Sequence, residues 1–568
     1  MAQILHLQVF LRNYLFIFLS IALLFGCNSK RHEKQILPEK WYRNAIIYNL
    51  DVDSYQDSDG DGKGDFKGLI NRLDYLKLLG VDVIWLSPFQ PTPNGDDGYD
   101  VSDYYSIDPE LGTMEDFEKF MKEARRLKIK IVMDMVLNHT SVAHPWFKKA
   151  REDTTSVFKD WYVWSSSRPK DAEKGMAFPG VQNESWTYDE VAKAYYFHRF
   201  YNFQPDLNYE NKAVQQEAIK ILQLWIAKGM EGFRLDAVPF IIDVPKSGAE
   251  NPENMLGVLD SLVRGAKQKD PNVLLLGEAN VETKENADYF GEKGERLSMM
   301  FNFYANQYLF YSLATGKPGT FLKALEQTKE KPVEAQWAFF LRNHDEVDLG
   351  RLSSAQREAV YQAFGPEKNM QVYDRGIRRR LAPMLANERQ LRMVYSLLYS
   401  LPGTPVIRSG EEIGMGDDLS LNERMAVRTP MQWDATQNAG FTTASKPFRP
   451  VISQGDYRYT ISNVKAQAHN SHSLLSEIRR LISLRKQYPQ IGNQDWESLK
   501  TGNAAIMAIA YGEGSKKLIA VHNFSESAAR FSIKEGGQFV DLLSGRHFNL
   551  TKGEVNLIGY GRLWLLSR

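Results

Sequence analysis

The sequence predicts an α/β fold: a (β/α)8 TIM barrel with an inserted subdomain after strand 3 and a C-terminal antiparallel β-sandwich. Short apolar and β-branched runs alternate with longer amphipathic stretches, a pattern typical of repeated βα units around a parallel sheet. Eight such runs occur, the number that a closed barrel of this type requires. The predicted strands are residues 45–50, 81–86, 129–136, 232–236, 273–277, 297–302, 336–341 and 404–407.

The connections between these strands define the remaining segments. Amphipathic patterns at 69–79 and 114–127 predict helices between the first three strands. A long irregular stretch rich in Trp, Tyr, Phe and Pro precedes the fourth strand and predicts the inserted subdomain. A helix at 474–487 closes the barrel, and short alternating segments with turns predict the terminal sandwich. The expected bounds are 41–138 and 209–488 for the barrel, 139–208 for the subdomain and 489–568 for the sandwich.

Composition limits the class of substrate. The chain has 568 residues, of which 43% are hydrophobic, so it can form several domains with a large core. Lys plus Arg and Asp plus Glu each total 70, which gives a formal net charge of zero. A chain without net charge has no general attraction for a polyanion, and we expect no nucleic-acid partner. The substrate is expected to be a neutral small molecule.

The single cysteine, Cys27, ends an apolar run at 14–26 near the N-terminus. The run is shorter than the roughly 20 residues of a membrane-spanning helix and is typical of a cleaved export signal. Residues 24–27 resemble a bacterial lipobox, in which the cysteine carries lipid. We therefore predict a lipoprotein signal at 1–27, a polar linker at 28–40, and an exported protein held at a bacterial membrane only by its N-terminal lipid. The alternative is a free buried thiol.

Four of the predicted strands end in a carboxylate: Asp134, Asp236, Glu278 and Asp345. Barrel enzymes place their catalytic groups at this end of the strands. Arg234 lies two residues before Asp236 and therefore on the same face of the strand, where its charge would help to keep that carboxylate ionised. A single acidic residue of this kind is more often a structural ion pair or a cap. Four at corresponding positions indicate a catalytic site.

The spacing of two of these carboxylates favours glycoside chemistry with retention of configuration. Retaining cleavage needs two carboxyl groups roughly 5 Å apart, one to attack the anomeric carbon and one to protonate the leaving oxygen. Asp236 and Glu278 end adjacent strands, and parallel neighbours lie about 4.8 Å apart. His344 and Asp345 cannot both point inward from a regular strand, so we place them in the loop after strand seven.

Five short segments lie at or near these positions. They are residues 134–139 (DMVLNH), 204–208 (QPDLN), 232–238 (GFRLDAV), 277–280 (GEAN) and 341–346 (LRNHDE). In this order and at these separations they resemble the signature regions of the alpha-amylase superfamily, glycoside hydrolase family 13. The resemblance implies Asp236 as nucleophile, Glu278 as acid/base and Asp345 as stabiliser of the transition state. It also implies three residues that contact the nucleophile or the glucosyl ring: His139, Arg234 and His344.

Further segments resemble trehalose synthases, which interconvert maltose and trehalose without an added organic cofactor. These segments are residues 194–208 (AYYFHRFYNFQPDLN), 374–385 (DRGIRRRLAPML), 414–418 (GMGDD) and 427–433 (VRTPMQW). By the same resemblance, Asp96 and Arg428 pair to close the pocket around one glucose, and Tyr99 stacks on that glucose. The expected substrates are therefore alpha-glucosides such as maltose and trehalose.

An acidic loop follows the first strand and predicts a structural calcium site. Its residues are Asp57, Asp59, Asp61, Lys63 and Asp65, of which Lys63 would offer only its backbone carbonyl. Alternate carboxylates around glycines suit a hard cation, although an EF-hand would need Glu where this chain has Gly68. The loop is similar to one in oligosaccharide glucosidases of the superfamily. The alternative is a solvated acidic turn, in which the aspartates would repel one another.

Two places depart from the trehalose synthase pattern. Asp51 and Asp53 stand where histidine and arginine are expected, and Ile407 and Arg408 replace an aromatic pair. Both could alter the floor of the active site. Two rival functions therefore remain. The first is an exo-acting alpha-glucosidase that uses the same residues but admits water, and the second is a non-catalytic amylase-like scaffold.

Overall fold

Eight parallel strands form a closed barrel, which confirms the predicted fold class. The computed structural model describes residues 40–243, 252–493, 495–534, 536–552 and 554–568. Each strand pairs with its neighbour in the chain, and the last strand closes on the first, with Val406 beside Ile47. The strands are β1 (Ile47–Leu50), β2 (Val83–Leu86), β3 (Lys130–Met135), β4 (Gly232–Leu235), β5 (Leu274–Gly277), β6 (Met299–Phe301), β7 (Gln336–Phe340) and β8 (Thr404–Arg408).

Alternation along the strands creates two apolar layers. Ile47 and Val83 point into the barrel and pack with Trp85 and Phe301 in an inner core. Their neighbours, such as Tyr48, face outward into the core beneath the helices. Successive side chains of a strand point to opposite faces, so both faces must be apolar in a barrel covered by helices. Each fully buried side chain of this size contributes about 1.5–3 kcal/mol.

Helices cover the barrel, and local sequence fixes their ends. The helix Phe66–Leu79 begins where the side chain of Asp65 accepts from Gly68 N, and it ends at Gly80, whose φ of 95° is left-handed. The longer helices are Phe66–Leu79, Met114–Arg126, Lys212–Ala227, Pro252–Lys269, Phe303–Thr315, Gly319–Gln327, Ser354–Phe364, Glu388–Ser400 and Leu474–Gln487. The shorter ones are Pro145–Glu152, Val238–Ile242, Asn286–Phe290, Leu381–Leu385, Val464–Ala468 and Gln490–Asn493.

Two of the segments that connect barrel strands each contain a small antiparallel sheet. The first lies between β3 and β4 and consists of Trp164–Ser165, Trp186–Asp189 and Ala194–Phe197. The second lies between β7 and β8 and consists of Val347–Asp348, Gln371–Val372 and Gly376–Ile377. The first sheet belongs to the stretch predicted as an inserted subdomain. The second was not predicted, because its two-residue strands are too short to show a period.

The C-terminal region is antiparallel, as predicted. Its strands are Trp496–Ser498, Ile506–Tyr511, Leu518–Asn523, Ala529–Phe531, Gln538–Asp541, His547–Asn549, Val555–Leu557 and Arg562–Ser567. Ile506 and Ala508 face a small core with the two-stranded sheet, whereas Met507 and Ile509 join the main core. Alternating residues thus attach the sandwich to the barrel.

The predicted signal, Cys27 and most of the linker lie outside the described residues. Within the described part of the chain, no helix is long and apolar enough to cross a membrane.

Candidate active site

The predicted catalytic carboxylates meet around one guanidinium at the C-terminal end of the barrel. Arg234 donates to Asp134 Oδ1 at 2.7 Å and to Asp236, and its Nη2 forms an ion pair with Glu278 Oε1 at 2.8 Å. Asp236, Glu278 and Asp345 line a cavity of about 470 Å³, a size suited to a small ligand. Asp134 is fully buried behind them, so its role is to hold Arg234.

Backbone geometry sets Asp236 beside Glu278. The two follow adjacent strands, and Glu278 N donates to the carbonyl of Leu235 at 3.0 Å. Ala237 has a left-handed φ of 49°, which turns the chain sharply after Asp236. The turn directs Ala237 N to Glu278 Oε2 at 3.0 Å. The two carboxyl groups therefore face the cavity in a fixed relation, as a retaining pair requires.

Burial raises the pKa values of the two catalytic carboxyl groups to different extents. Burial raises the pKa of Asp236 to about 6, although Arg234 lowers it. Burial likewise raises the pKa of Glu278 to about 7, with the charges of Asp236 and Asp345 adding to the effect of burial and Arg234 opposing it. At neutral pH Asp236 is mostly ionised, in agreement with the role assigned to Arg234, while much of Glu278 keeps its proton. One group can attack and the other can donate a proton.

Asp345 is held ionised. It lies in the loop after β7, as predicted, where His344 Nε2 contacts its Oδ2 at 3.1 Å. Arg424 and Arg428 donate to its Oδ1 at 2.9 and 3.0 Å. Burial alone would raise the pKa of Asp345, but His344 and the two arginines hold it well below its usual value. Its negative charge is therefore available to oppose positive charge on a substrate.

The predicted pairing of Asp96 with Arg428 is wrong. Asp96 Oδ1 accepts from Arg424 at 2.6 Å, whereas Arg428 donates to Asp97 Oδ2 at 2.9 Å and is 1% exposed behind Asp345. Both arginines belong to one short segment and both reach Asp345, so spacing along the chain did not distinguish them. Arg424 and Asp96 line the cavity and close its deep end. Gln204, from the fifth signature segment, supports Asp96 at 3.1 Å.

Tyr99, His139 and His344 form a connected aromatic wall. The Tyr99 ring stacks on His344 with centroids 5.5 Å apart, and its hydroxyl donates to Asp134 Oδ2 at 2.8 Å. The His139 Nε2 atom lies 3.0 Å from the Tyr99 carbonyl. Burial lowers the pKa of each histidine to about 4, so both are neutral at neutral pH. Tyr99 and His139 line the cavity, whereas stacking of Tyr99 on glucose stays a prediction.

Sequence reasoning missed several residues that line the cavity. Phe178 and Phe200 come from the inserted stretch, and Phe303 begins the helix Phe303–Thr315 that follows β6. Asn280 and Arg351 follow β5 and β7. The aromatic content of the inserted stretch was the only signal for this surface.

Three of the five predicted calcium ligands in the acidic loop lie close together. Oxygen atoms of Asp57, Asp59 and Asp61 lie within 4.8 Å of one another. Desolvation and the neighbouring carboxylates raise the pKa of Asp59, a repulsion that a cation would relieve. This oxygen donor set suits calcium. Asp65 instead accepts from Ser58 N and Gly68 N, both at 2.8 Å, so its carboxylate caps the following helix. The Lys63 side chain turns away to Glu110.

Two of the four residues that depart from the family pattern, Asp51 and Arg408, bind each other. Arg408 Nη1 donates to Asp51 Oδ1 and to Asn49 Oδ1, both at 3.0 Å, across the seam where β8 closes on β1. Two unexpected residues thus form one buried ion pair. Within the part of the chain that the structure describes, Asp53 forms no ion pair, and burial and the charge of Asp97 raise its pKa to about 7. Ile407 is a buried apolar residue of the barrel wall.

Comparison with known proteins identifies the chain's relatives. The catalytic-domain model of the alpha amylases matches residues 49–494. The chain is 39% identical over 526 residues to a trehalose synthase of Thermus thermophilus, covering 91% of this chain but 54% of that enzyme, so it spans about half of that relative. It is 37% identical over 557 residues to a trehalose synthase of Pimelobacter sp. strain R48, covering 94% and 97% of the two chains.

The chain also resembles solved structures of related sugar-converting enzymes. Trehalulose synthase MutB from Pseudomonas mesoacidophila MX-45 matches with a TM-score of 0.76 at 25% identity, covering 94% of this chain and all of MutB. The chain is thus an enzyme of the trehalose synthase-like or alpha-glucosidase type, which sets aside the scaffold alternative. The resemblance stated from the signature segments is confirmed: this protein belongs to the alpha-amylase family, glycoside hydrolase family 13.

Proposed function

We propose that this enzyme interconverts maltose and trehalose by intramolecular glucosyl transfer through a covalent glucosyl-enzyme. The observation that carries the proposal is a complete retaining trio in a cavity whose deep end is closed by Asp96 and Arg424. A closed end admits a single glucose, so cleavage takes place one residue from the non-reducing end. Similarity to trehalose synthases over almost the whole chain supports isomerisation rather than hydrolysis.

The first half-reaction uses the two carboxyl groups in opposite states. Glu278 donates its proton to the glycosidic oxygen of maltose while ionised Asp236 attacks the anomeric carbon. The bond from that carbon to the glycosidic oxygen breaks, an ester to Asp236 forms, and glucose is the leaving group. Positive charge that develops on the glucosyl ring is opposed by Asp345, which is ionised throughout.

The second half-reaction reverses the roles. The released glucose turns within the cavity, and its anomeric hydroxyl attacks the anomeric carbon of the bound glucosyl group while Glu278 takes the proton. The carbon–oxygen bond to Asp236 breaks, and trehalose is the product. A pKa near 7 lets Glu278 serve as acid and then as base at neutral pH. Hydrolysis would follow the same steps with water as the nucleophile, so the outcome depends on keeping water out.

Product analysis tests the proposal. The soluble part from about residue 34 is incubated with maltose, and trehalose and glucose are resolved over time, with Asp236→Asn as the inactive control. Trehalose that accumulates faster than glucose is the expected result. Glucose alone would overturn the isomerase proposal in favour of an exo-acting alpha-glucosidase.

We propose a structural calcium ion held by Asp57, Asp59 and Asp61, with no part in the chemical steps. A ligand that binds only the folded state raises the melting temperature with its concentration. Calcium is therefore expected to raise the Tm by a few degrees, and Asp59→Asn should remove that increment. The control Asp434→Asn changes another acidic turn, whose carboxylate binds Thr436 instead, and should keep it. A calcium-independent Tm in the wild type would overturn the proposal.

We also propose that the protein is exported and lipid-anchored through Cys27. Full-length protein expressed in a bacterial host with labelled palmitate should carry the label in its membrane fraction. Cys27→Ser should lose it. Label retained in that variant, or absent from the wild type, would overturn the anchor.

A further inference from the structure

A second cavity lies at the end of the barrel opposite to the catalytic carboxylates. It lies where β7 and β8 begin, beside Gln336 and Pro402, and we call it the basal cavity. Gly492 and Trp496, from the connection between the barrel and the C-terminal sandwich, also line it. Its volume is about 330 Å³, within the range of about 300–1,000 Å³ that is typical of pockets for small molecules. The basal cavity is therefore large enough for a ligand of its own.

Two of the cations that line the basal cavity are held in place by backbone carbonyls. Lys331 Nζ donates to the Ala335 carbonyl at 2.8 Å, and Arg43 Nη2 donates to the Val333 carbonyl. In the part of the chain that the structure describes, each of these side chains makes one hydrogen bond. An ammonium has three N–H groups and a guanidinium has five. Most of their N–H groups are therefore available to a ligand.

The third cation, Lys329, stands beside the single carboxylate of the lining. Among the described residues that line the basal cavity, only Asp495 is acidic. Its Oδ1 pairs with Lys329 Nζ at 3.1 Å, but its side chain is 83% exposed, so water screens its charge. Lys329 Nζ also donates to the Trp496 carbonyl at 2.5 Å. The lining thus has three positive charges and one weakly acting negative charge.

This imbalance of charge affects Lys331 most. Burial lowers the pKa of Lys331 to about 8, and the charge of Arg43 acts in the same direction while Asp495 opposes it. A nearby negative charge favours the ionised form of a lysine. An anion bound in the basal cavity would therefore offset the cost of burying this ammonium.

Apolar side chains form much of the remaining lining. They are Leu325, Trp337, Phe339 and Pro402. Trp337 Nε1 donates to the Thr328 carbonyl at 2.7 Å, which fixes the position of the ring. Aromatic rings offer a large apolar surface on which a sugar can pack. A ligand that combines an anionic group with a sugar ring matches both parts of the lining.

We propose that the basal cavity binds a sugar phosphate, with the phosphate monoester held by Arg43, Lys329 and Lys331. Arginine and lysine donate charge-assisted hydrogen bonds to phosphate oxygens, and a phosphate can accept several at once. This inference does not depend on the proposed function, because the catalytic trio lines the other cavity.

Calorimetric titration tests the site. Glucose 6-phosphate, inorganic phosphate and glucose are titrated at constant ionic strength into the full chain carrying Asp236→Asn, with maltose present in excess. Maltose then fills the catalytic cavity without being consumed, so binding there does not contribute. Glucose 6-phosphate is expected to bind at least about tenfold more tightly than inorganic phosphate, because the sugar adds contacts with apolar side chains. Glucose alone should show no binding.

Two substitutions assign the binding to the basal cavity. Lys331→Met and Arg43→Met should each weaken binding of glucose 6-phosphate by about tenfold or more, because each removes charge-assisted hydrogen bonds. The matched control is Lys159→Met, which changes another lysine whose pKa burial lowers, in the inserted stretch and 3.5 Å above the Trp164 ring. It should bind as tightly as the parent chain. Circular dichroism shows whether each variant is folded.

Three results would overturn the site. Absence of binding by glucose 6-phosphate would contradict it directly. Equal affinity for glucose 6-phosphate and inorganic phosphate would exclude a role for the sugar. Unchanged binding in folded Lys331→Met and Arg43→Met would place the ligand elsewhere on the protein.

Discussion

The deep and outer halves of the cavity are built on different principles. In the deep half, two nearly buried arginines each hold more than one carboxylate: Arg234 pairs with Asp236 and Glu278, and Arg424 pairs with Asp96 and Asp345. In the outer half, side chains join loops to one another: Arg351 binds Asn280 and Glu282, and Arg375 pairs with Asp348. The deep half contains the catalytic trio of the proposed mechanism, whereas the outer half contains contacts between loops. Substitutions in the deep half should therefore have the larger effect on rate.

The largest effect is expected at the nucleophile. Asp236→Asn removes the attacking oxygen, and kcat on maltose should fall on the order of 10⁴-fold or more. Glu278→Gln should lose comparable activity on maltose but retain much of its rate of intermediate formation on α-glucosyl fluoride, because fluoride leaves without a proton. Steady-state and burst kinetics on the two substrates make the distinction. Equal losses on both substrates in Glu278→Gln would contradict its role as acid.

A smaller loss is expected at the closed end. Asp96→Asn leaves Arg424 paired with Asp345 but removes the negative charge that holds Arg424 against the glucose site. We expect kcat/KM for maltose to fall about 100-fold, mainly through KM, because a desolvated charge pair is broken. The control Asp97→Asn changes the next residue, whose carboxylate binds Arg428 and Arg449 away from the cavity. A control that loses as much activity as Asp96→Asn would contradict the proposed wall.

The sequence predicted the catalytic residues at the strand ends but not the contacts between loops. The eight strands and the trio were predictable, because strand ends in a barrel converge and Asp236 follows an apolar run directly. Arg424 was missed in favour of Arg428, since two arginines four residues apart compete for the same partner and only the fold shows which one faces the cavity. Arg351 gave no sequence signal: its partner Asn280 lies 71 residues away. Contacts between loops depend on the closed barrel, not on local pattern.

The pH dependence should come from the deep half. Activity requires Asp236 ionised and Glu278 protonated, so kcat/KM should form a bell between the apparent pKa values of the coupled pair, about 6 and about 7. Arg351→Met removes contacts with Asn280 and Glu282 but none with Asp236 or Glu278, so it should leave this bell in place. A shift of either limb by more than about one unit in that variant would contradict the separation of the two halves.

The free energy of unfolding should fall steadily as the pH rises, whereas kcat/KM rises and then falls. Both pKa values are raised above the ordinary values of 3.8 and 4.5, so the folded state binds these protons more tightly than the unfolded state. Their contribution is fully present below about pH 4 and is lost as the pH rises through 6 to 7. Glu278→Gln cannot ionise and should be more stable than the wild type by about 1–2 kcal/mol at pH 8, with little difference at pH 4. Denaturant unfolding at the two pH values measures this, and equal differences at both would refute the burial argument.

The smallest effect on activity is expected at the seam between β1 and β8. Asp51 and Arg408 are buried and paired but do not line the cavity, so their function is to close the barrel. Arg408→Met leaves Asp51 buried without its partner and should cost about 3 kcal/mol of unfolding free energy, whereas the double variant with Asp51→Asn should recover part of that loss. The kcat of the folded double variant should stay within about threefold of the wild type. A large loss of kcat with intact stability would instead place this pair in the catalytic machinery, because a seam that only closes the barrel affects activity through folding alone.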